Sequence, residues 1–293
     1  MKFVDILNLL HVSDENFVKI QYKKRLKKKL NLKEPKTFNE KLQWLKLYDH
    51  KEEYTKMVDK YLVRDYIKEK IGEEYLIPLY GVYEKFDDIN FKKLPSKFVI
   101  KCNHDSGGLV ICRDKKNFDI KKAKKKIEKY LKRNYYKCNR EWPYKNVKPK
   151  IIIEKYMEEK NEKSLHDYKL FCFNGIPKFV YVSEGMDNHK TAKMSFLDMD
   201  FSFMPFKRSD YKSFDEVPKK PKKFDLMVEF AKILSKDIPH LRVDFYEING
   251  KLYFGELTFF TCSGFIPFEP MEWDRKLGDM LELPMKRDGL NEK

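Results

Sequence analysis

Apolar residues recur along the chain in two rhythms, three- or four-residue spacing and near-continuous or alternating runs, which separate helices from strands. The first third is helical by this measure. Thr37-Phe38-Asn39-Glu40 forms a capping-box pattern after Pro35 and opens a helix through Leu42 and Leu45. Tyr54, Met57, Val58, Tyr61, Leu62, Ile67 and Ile71 predict a second amphipathic helix that Gly72 ends, and no catalytic motif stands in this region. Residues 97–102 and 109–113 then predict strands joined by Asn103-His104-Asp105-Ser106-Gly107-Gly108. A lysine-rich helix follows from residue 120 to about 136, with an apolar stripe of Ala123, Ile127, Tyr130 and Leu131.

Past an apolar strand, Ile151-Ile152-Ile153-Glu154, and a charged hinge, hairpins dominate. Asn174-Gly175 joins residues 168–173 to 178–182, and Asn249-Gly250 joins 242–247 to 251–257. Between them lie a hairpin tip at Asp198-Met199-Asp200, a linker at 217–221 and a helix over about 225–236. The units so predicted are a mainly helical region (1–90), a central α+β unit (91–156) and a C-terminal α+β unit (157–293).

Composition adds limits. An apolar fraction of 42% makes the 37% of charged residues a surface rather than a sign of disorder. The 62 basic against 46 acidic side chains leave +16, which attracts polyanions. Lysines spread over many helices, without aromatic partners in one stripe, argue against a nucleic-acid partner. Five cysteines without a CxxC pair predict reduced thiols in the cytoplasm. Asp5 and Asn8 interrupt the opening apolar run, and no stretch approaches the roughly 18 apolar residues of a membrane span. Any contact with the inner membrane face is therefore expected to be peripheral.

The chemistry concentrates in Arg242-Val243-Asp244-Phe245 and Gly255-Glu256-Leu257-Thr258. Two acids on a hairpin are more often solvated than metal-bound, yet Asp244 and Glu256 both interrupt apolar strands, and buried acids need a partner or a metal. Carboxylates on adjacent strands suit Mg²⁺, which keeps one or two protein carboxylates beside phosphate and water. With a two-residue loop Glu256 would face away from Asp244, because side chains alternate. A shared metal therefore predicts a bulged three-residue loop, Ile248-Asn249-Gly250, with Glu247 opposite Lys251 and Asp244 opposite Phe254. Lys101 ends a hydrophobic strand before a Gly-Gly loop, a pattern that suits phosphate but is usually only a turn. No GxxxxGK[ST] or strand-linked GxGxxG is present.

In this order the motifs resemble the ATP-grasp superfamily. Phe38-Asn39-Glu40-Lys41-Leu42-Gln43-Trp44, residues 101–108, Asp167-Tyr168-Lys169 and 255–258 resemble specifically the TupA-like ATP-grasp family, over about residues 16 to 284. The resemblance implies an α+β fold in which two α+β domains clasp ATP behind a mainly helical N-terminal region. It implies that Lys101 contacts the ATP phosphates, that Ser106, Gly107 and Gly108 close over them, and that Glu154, Lys155, Tyr156 and Met157 form the adenine hinge. Asp244 and Glu256 would hold Mg²⁺, with Thr258 where many members carry Asn, and Arg242 would face the transferred phosphate. His104 sits where it could touch phosphate. Lys169 and Lys193, in predicted strands, either line the cleft or face solvent. Cys102, Cys112 and Cys262 read as small core hydrophobes.

The implied reaction is that of an ATP-dependent carboxylate–amine ligase, passing through an acylphosphate and yielding ADP and phosphate. For this family the implied partners are a carboxylate acceptor, a uronic acid of a surface polysaccharide or its precursor, and an amine donor. A kinase on the same fold and a capsule glycosyltransferase are the alternatives. The second lacks an Asp-x-Asp loop after a Rossmann-type strand, since residues 198–200 read as a hairpin tip.

Overall fold

The computed structural model describes residues 3–159, 165–186 and 190–285. Its N-terminal region comprises α1 (Phe3–Leu9), α2 (Asp14–Leu26), α3 (Phe38–Tyr48), α4 (Glu52–Val58) and α5 (Val63–Lys70). Helix α3 opens on the expected capping box, with Thr37 and Glu40 each accepting the other's backbone N–H. The single helix expected over 54–71 is instead broken. Asp59 Oδ1 accepts the N–H groups of Tyr61 and Leu62 at 2.8 and 3.2 Å, a local bond that competes with the helical ladder. The break turns Lys60 out of the helix.

Next come β1 (Leu79–Tyr83), β2 (Phe98–Cys102), β3 (Leu109–Cys112), α6 (Ile120–Leu131), α7 (Tyr136–Asn139) and β4 (Ile151–Lys155). The strands form an antiparallel sheet in the order β1-β4-β2-β3. Ala123 and Ile127 of α6 pack with Phe98, Ile100, Ile151 and Ile153 in a core of their own, leaving the lysines of α6 outward. The lysine-rich helix stops at Leu131 rather than near 136.

The second unit contains β5 (Asp167–Phe173), β6 (Ile176–Glu184), β7 (Lys193–Leu197), β8 (Lys207–Arg208), α8 (Phe224–Ser235), β9 (His240–Ile248), β10 (Lys251–Thr258), β11 (Phe268–Glu269) and α9 (Trp273–Asp279). Five strands form a sheet in the order β10-β9-β5-β6-β7, while β8 pairs with β11. Helix α8 buries Phe224, Met227, Ala231 and Leu234 against this sheet. The charged turn after Met157 runs into residues 160–164, outside the described residues.

Helix α3 joins the N-terminal region to the second unit, with Phe38 and Leu42 buried in a shared core and its polar residues bonded to the chain that follows β10. Asn39 Nδ2 donates to Ile266 O and Asn39 Oδ1 accepts from Ile266 N, at 3.0 and 2.8 Å. Gln43 Nε2 donates to Ser263 O and Gly264 O at 3.0 and 2.6 Å, and Lys46 Nζ to Ser263 O at 2.8 Å. These bonds hold a turn in which Cys262, Ser263 and Gly264 all have positive φ, of 50°, 56° and 68°. Left-handed backbone costs a non-glycine residue about 1–2 kcal/mol and persists only where its surroundings over-determine it. Among the described residues no helix is long and apolar enough to cross a membrane.

Candidate functional site

A cavity of about 550 Å³ lies where the two sheets and the N-terminal helices meet. The second sheet supplies its floor. Alternation along β9 turns Arg242, Asp244 and Tyr246 toward the cavity, and Asp167 and Lys169 join them from β5, where Lys169 pairs with Asp244.

Glu256 reaches the same floor by a route that corrects the expected hairpin. The loop has two residues: Ile248 pairs with Lys251, and Asn249 and Gly250 have φ of 51° and 74°, the left-handed pair of a tight hairpin turn. Such a loop alone would send Glu256 to the opposite face. The register shifts further along, however, from Phe254 opposite Phe245 to Leu257 opposite Val243, so Gly255 and Glu256 together oppose Asp244. This bulge restores Glu256 to the side of Asp244. A Cβ on Gly255 would lie 3.0 Å from Asp244 O and 3.1 Å from the Tyr246 ring, which is why the smallest residue sits there.

Arg242 ties the acids together. Its Nε and Nη2 donate to Asp244 Oδ1 and Oδ2 at 2.7 and 2.6 Å, and Nη2 also donates to Glu256 Oε1 at 2.9 Å. Lys169 Nζ lies 3.0 Å from Asp167 Oδ2 and 3.5 Å from Asp244 Oδ2. Burial raises the Asp244 carboxyl above its usual range although Arg242 and Lys169 pull the other way. Burial also acts on Glu256, but there Arg242, Lys60, Lys169 and Lys101 outweigh it and hold the carboxyl low. Burial would lower Lys169, yet Asp167 and Asp244 raise it, so the ammonium form is secured. Thr258 Oγ1 lies 3.4 Å from Glu256 Oε1. Carboxylate and hydroxyl oxygens suit a hard cation. Because no group of three or more His, Cys, Asp or Glu among the described residues could hold one, phosphate and water would complete its shell.

The first sheet supplies the roof. Lys101 Nζ pairs with Glu154 Oε2 at 2.7 Å, and Arg64 Nη1 lies 3.6 Å from Glu154 Oε1. Ser106, Gly107 and Gly108 line the cavity beside them. A Cβ on Gly108 would meet Asp105 Oδ1 at 2.7 Å and Cys102 Sγ at 2.9 Å, so this turn closes only around glycine. Lys60, freed by the helix break, donates to Asp105 O at 2.7 Å.

Several expected residues lie elsewhere. His104 is buried outside the cavity, with Nε2 against Arg133 O at 3.0 Å and Nδ1 against Asn103 Oδ1 at 3.3 Å, so it anchors the glycine loop instead of facing a ligand. Lys193 pairs with Asp215 at 2.6 Å on β7, the sheet edge opposite β10. Of the hinge only Glu154 lines the cavity. Lys155 alternates outward with its N–H on Pro78 O, and Tyr156 OH accepts from Arg113 Nε at 3.2 Å. Met157 is likewise absent from the lining. Sequence reading missed Lys60 and Arg64, which sit in a helical pattern that only Asp59 interrupts. It also missed the far end of the cavity, where Tyr135, Glu141, Tyr144 and Ser263 gather.

No curated protein matches the chain. Among solved structures, a D-alanine–D-alanine ligase from Bacillus anthracis complexed with ATP aligns at 15% identity over 75% of this chain and 55% of its own, with a TM-score of 0.39. The D-alanine–D-alanine ligase of Helicobacter pylori aligns at 16% identity over 77% and 61%, with a TM-score of 0.42. The D-cycloserine synthetase DcsG aligns at 12% over 77% and 70%, at 0.43. The chain thus spans little more than half the length of the first of these ligases. The family model described as TupA-like ATPgrasp matches residues 40–282. With that match over most of its length, the chain belongs to the TupA-like ATP-grasp family.

Proposed function

We propose that this protein is an ATP-dependent carboxylate–amine ligase. The observation that carries the reading is the convergence of Arg242, Asp244 and Glu256 on the floor of one cavity with Lys101 and the glycine loop on its roof. Lys101, Lys60 and the backbone of Ser106, Gly107 and Gly108 bind the nucleotide phosphates from above. Leu76 and Ile77 wall the same cavity with apolar surface for the adenine, beside Glu154, the one expected hinge residue in the lining. Asp244, Glu256 and Thr258 would hold Mg²⁺, which would supply charge neutralisation on the transferred phosphoryl group.

Within that frame Arg242 orients both acids and turns its guanidinium toward the acceptor. The acceptor carboxylate attacks the γ-phosphate, ADP leaves, and Lys169 and Arg242 stabilise the charge that develops. An amine then displaces phosphate to form the amide. The basic surface, +16 overall, favours an anionic acceptor, a uronic acid of a surface polysaccharide or its precursor, presented at the inner face of the membrane.

The test is a screen of uronates and nucleotide-linked uronates, with and without amino acids, that follows ADP release. ADP release that requires both a carboxylate and an amine is expected. Turnover with a hydroxyl acceptor alone would make the protein a kinase, and consumption of a nucleotide sugar without ATP would make it a glycosyltransferase.

A further inference from the structure

The far end of the cavity contains a carboxylate that the steps above do not use. Glu141 is buried, 5% exposed, yet lines the cavity, and its Oε1 accepts the Ser263 hydroxyl at 2.5 Å. Asn139 Nδ2 donates to the same hydroxyl at 2.9 Å, which directs the Ser263 proton at Glu141. Ser263 is itself fixed in the left-handed turn that α3 clamps. Among the described residues no cation lies within ion-pair distance of Glu141, although the charges of buried Lys46 and of Arg25 reach it. Lys46 lies behind it, outside the cavity lining, with its Nζ on two backbone carbonyls. Tyr135 and Tyr144 stand beside Glu141 with ring centroids 4.7 Å apart, two aromatic walls next to a negative charge. An acid flanked by aromatic rings is the chemistry that receives an alkylammonium group.

We infer that this end of the cavity is the amine subsite and that Glu141 is the base that deprotonates the incoming ammonium. The inference rests on the ligase reading and assigns it a residue. A primary amine arrives protonated and cannot attack. Glu141 takes one proton, the freed lone pair bonds to the carbonyl carbon of the acylphosphate, and the carbon–oxygen bond to phosphate breaks with its electron pair on the phosphate. The departing phosphate takes the second nitrogen proton, and Glu141 releases the first to solvent with the product. The groups whose charge reaches Glu141 are Lys46 on α3, Arg25 on α2, Tyr135, Tyr144 and, across the cavity, Glu256. Burial raises the Glu141 carboxyl above its usual range, with Lys46 the main opposing influence, which makes it a stronger base than a solvated glutamate.

Hydroxylamine separates base catalysis from everything before it, because it is already unprotonated at neutral pH and traps acylphosphates as hydroxamates unaided. Wild type, Glu141→Gln and Ser263→Ala would be given ATP, Mg²⁺ and glucuronate, galacturonate or UDP-glucuronate, with hydroxylamine or L-alanine as nucleophile. The expected result is hydroxamate formation at the wild-type rate in Glu141→Gln, with amide formation from L-alanine down by about 100-fold or more. Amide formation by that variant should recover as pH rises and the free amine accumulates, and Ser263→Ala should fall between the two proteins. An equal loss of hydroxamate and amide in Glu141→Gln overturns the base assignment and leaves the ligase intact. Absence of hydroxamate from the wild type with every uronate overturns the ligase reading, and this inference with it.

Discussion

Arg242 shows how single residues divide the work in this site. It is buried, yet its guanidinium bridges Asp244 and Glu256, two acids that would otherwise repel each other across the bulge. Glu256 is the acid more open to the cavity, with a side chain 45% exposed against 2% for Asp244. Replacing it should therefore spare the fold. We predict that Glu256→Gln remains soluble and monodisperse while ADP release falls by about 100-fold or more, through the lost cation ligand; retained turnover would remove the metal assignment. His240 allows a prediction about acid stability. It is buried with Nδ1 against Cys172 O at 3.0 Å and Nε2 without a hydrogen-bond partner among the described residues, and burial pushes its pKa down to about 3. The unfolded chain takes up that proton near pH 6.5, so the stability held by neutral His240 is present above about 6.5 and is lost as pH falls toward 3. Between those limits the wild type should lose up to about 1.4 kcal/mol per pH unit more than His240→Phe, measured by urea unfolding at a series of pH values. Parallel pH profiles would show that the histidine is not buried neutral.

At the scale of elements, the bulge at Gly255 and Glu256 is what lets a tight two-residue hairpin build a shared acid pair. Gly255→Ala would push a Cβ against Asp244 O, and the cheapest relief is to shift the bulge. We predict a larger loss in turnover than in stability, with melting lowered by only a few degrees and ADP release at least about tenfold down. Wild-type turnover would mean the bulge tolerates a side chain and does not set the position of Glu256. The acids were legible in the sequence because each breaks an apolar strand, and their common face followed from the chemistry they would share. The place of the irregularity was not legible. Asn249-Gly250 fits either a two- or a three-residue loop, and only the cross-strand register distinguishes them. Helix α3 was legible as a helix from its capping box, but its role was not, since a buried Gln43 or Lys46 reads as a surface residue until its carbonyl partners more than 200 residues away are known. Lys60 was hidden for a related reason: a helical rhythm of apolar residues continues across the break that Asp59 makes. His104 failed in the other direction, because adjacency to a glycine loop suggested a ligand contact where the side chain anchors the loop from behind.

For the whole molecule, the cavity takes lining from the N-terminal helices and second sheet, which share a core, and from the first sheet, which has its own, so a ligand bound there joins two separate cores. ATP with Mg²⁺ should accordingly stabilise the protein. At a hundredfold excess over Kd the gain is about 2.7 kcal/mol, and GTP should give less if the hinge reads the adenine edge. Stabilisation by a nucleotide sugar but not by ATP would contradict the site. Whether a carboxylate accepts the γ-phosphoryl group is decided by following oxygen. With a uronate substrate labelled with oxygen-18 in its carboxylate, the protein should release inorganic phosphate carrying one labelled oxygen for each ADP formed, because the acylphosphate oxygen leaves with the phosphate. Unlabelled phosphate would contradict a carboxylate acceptor.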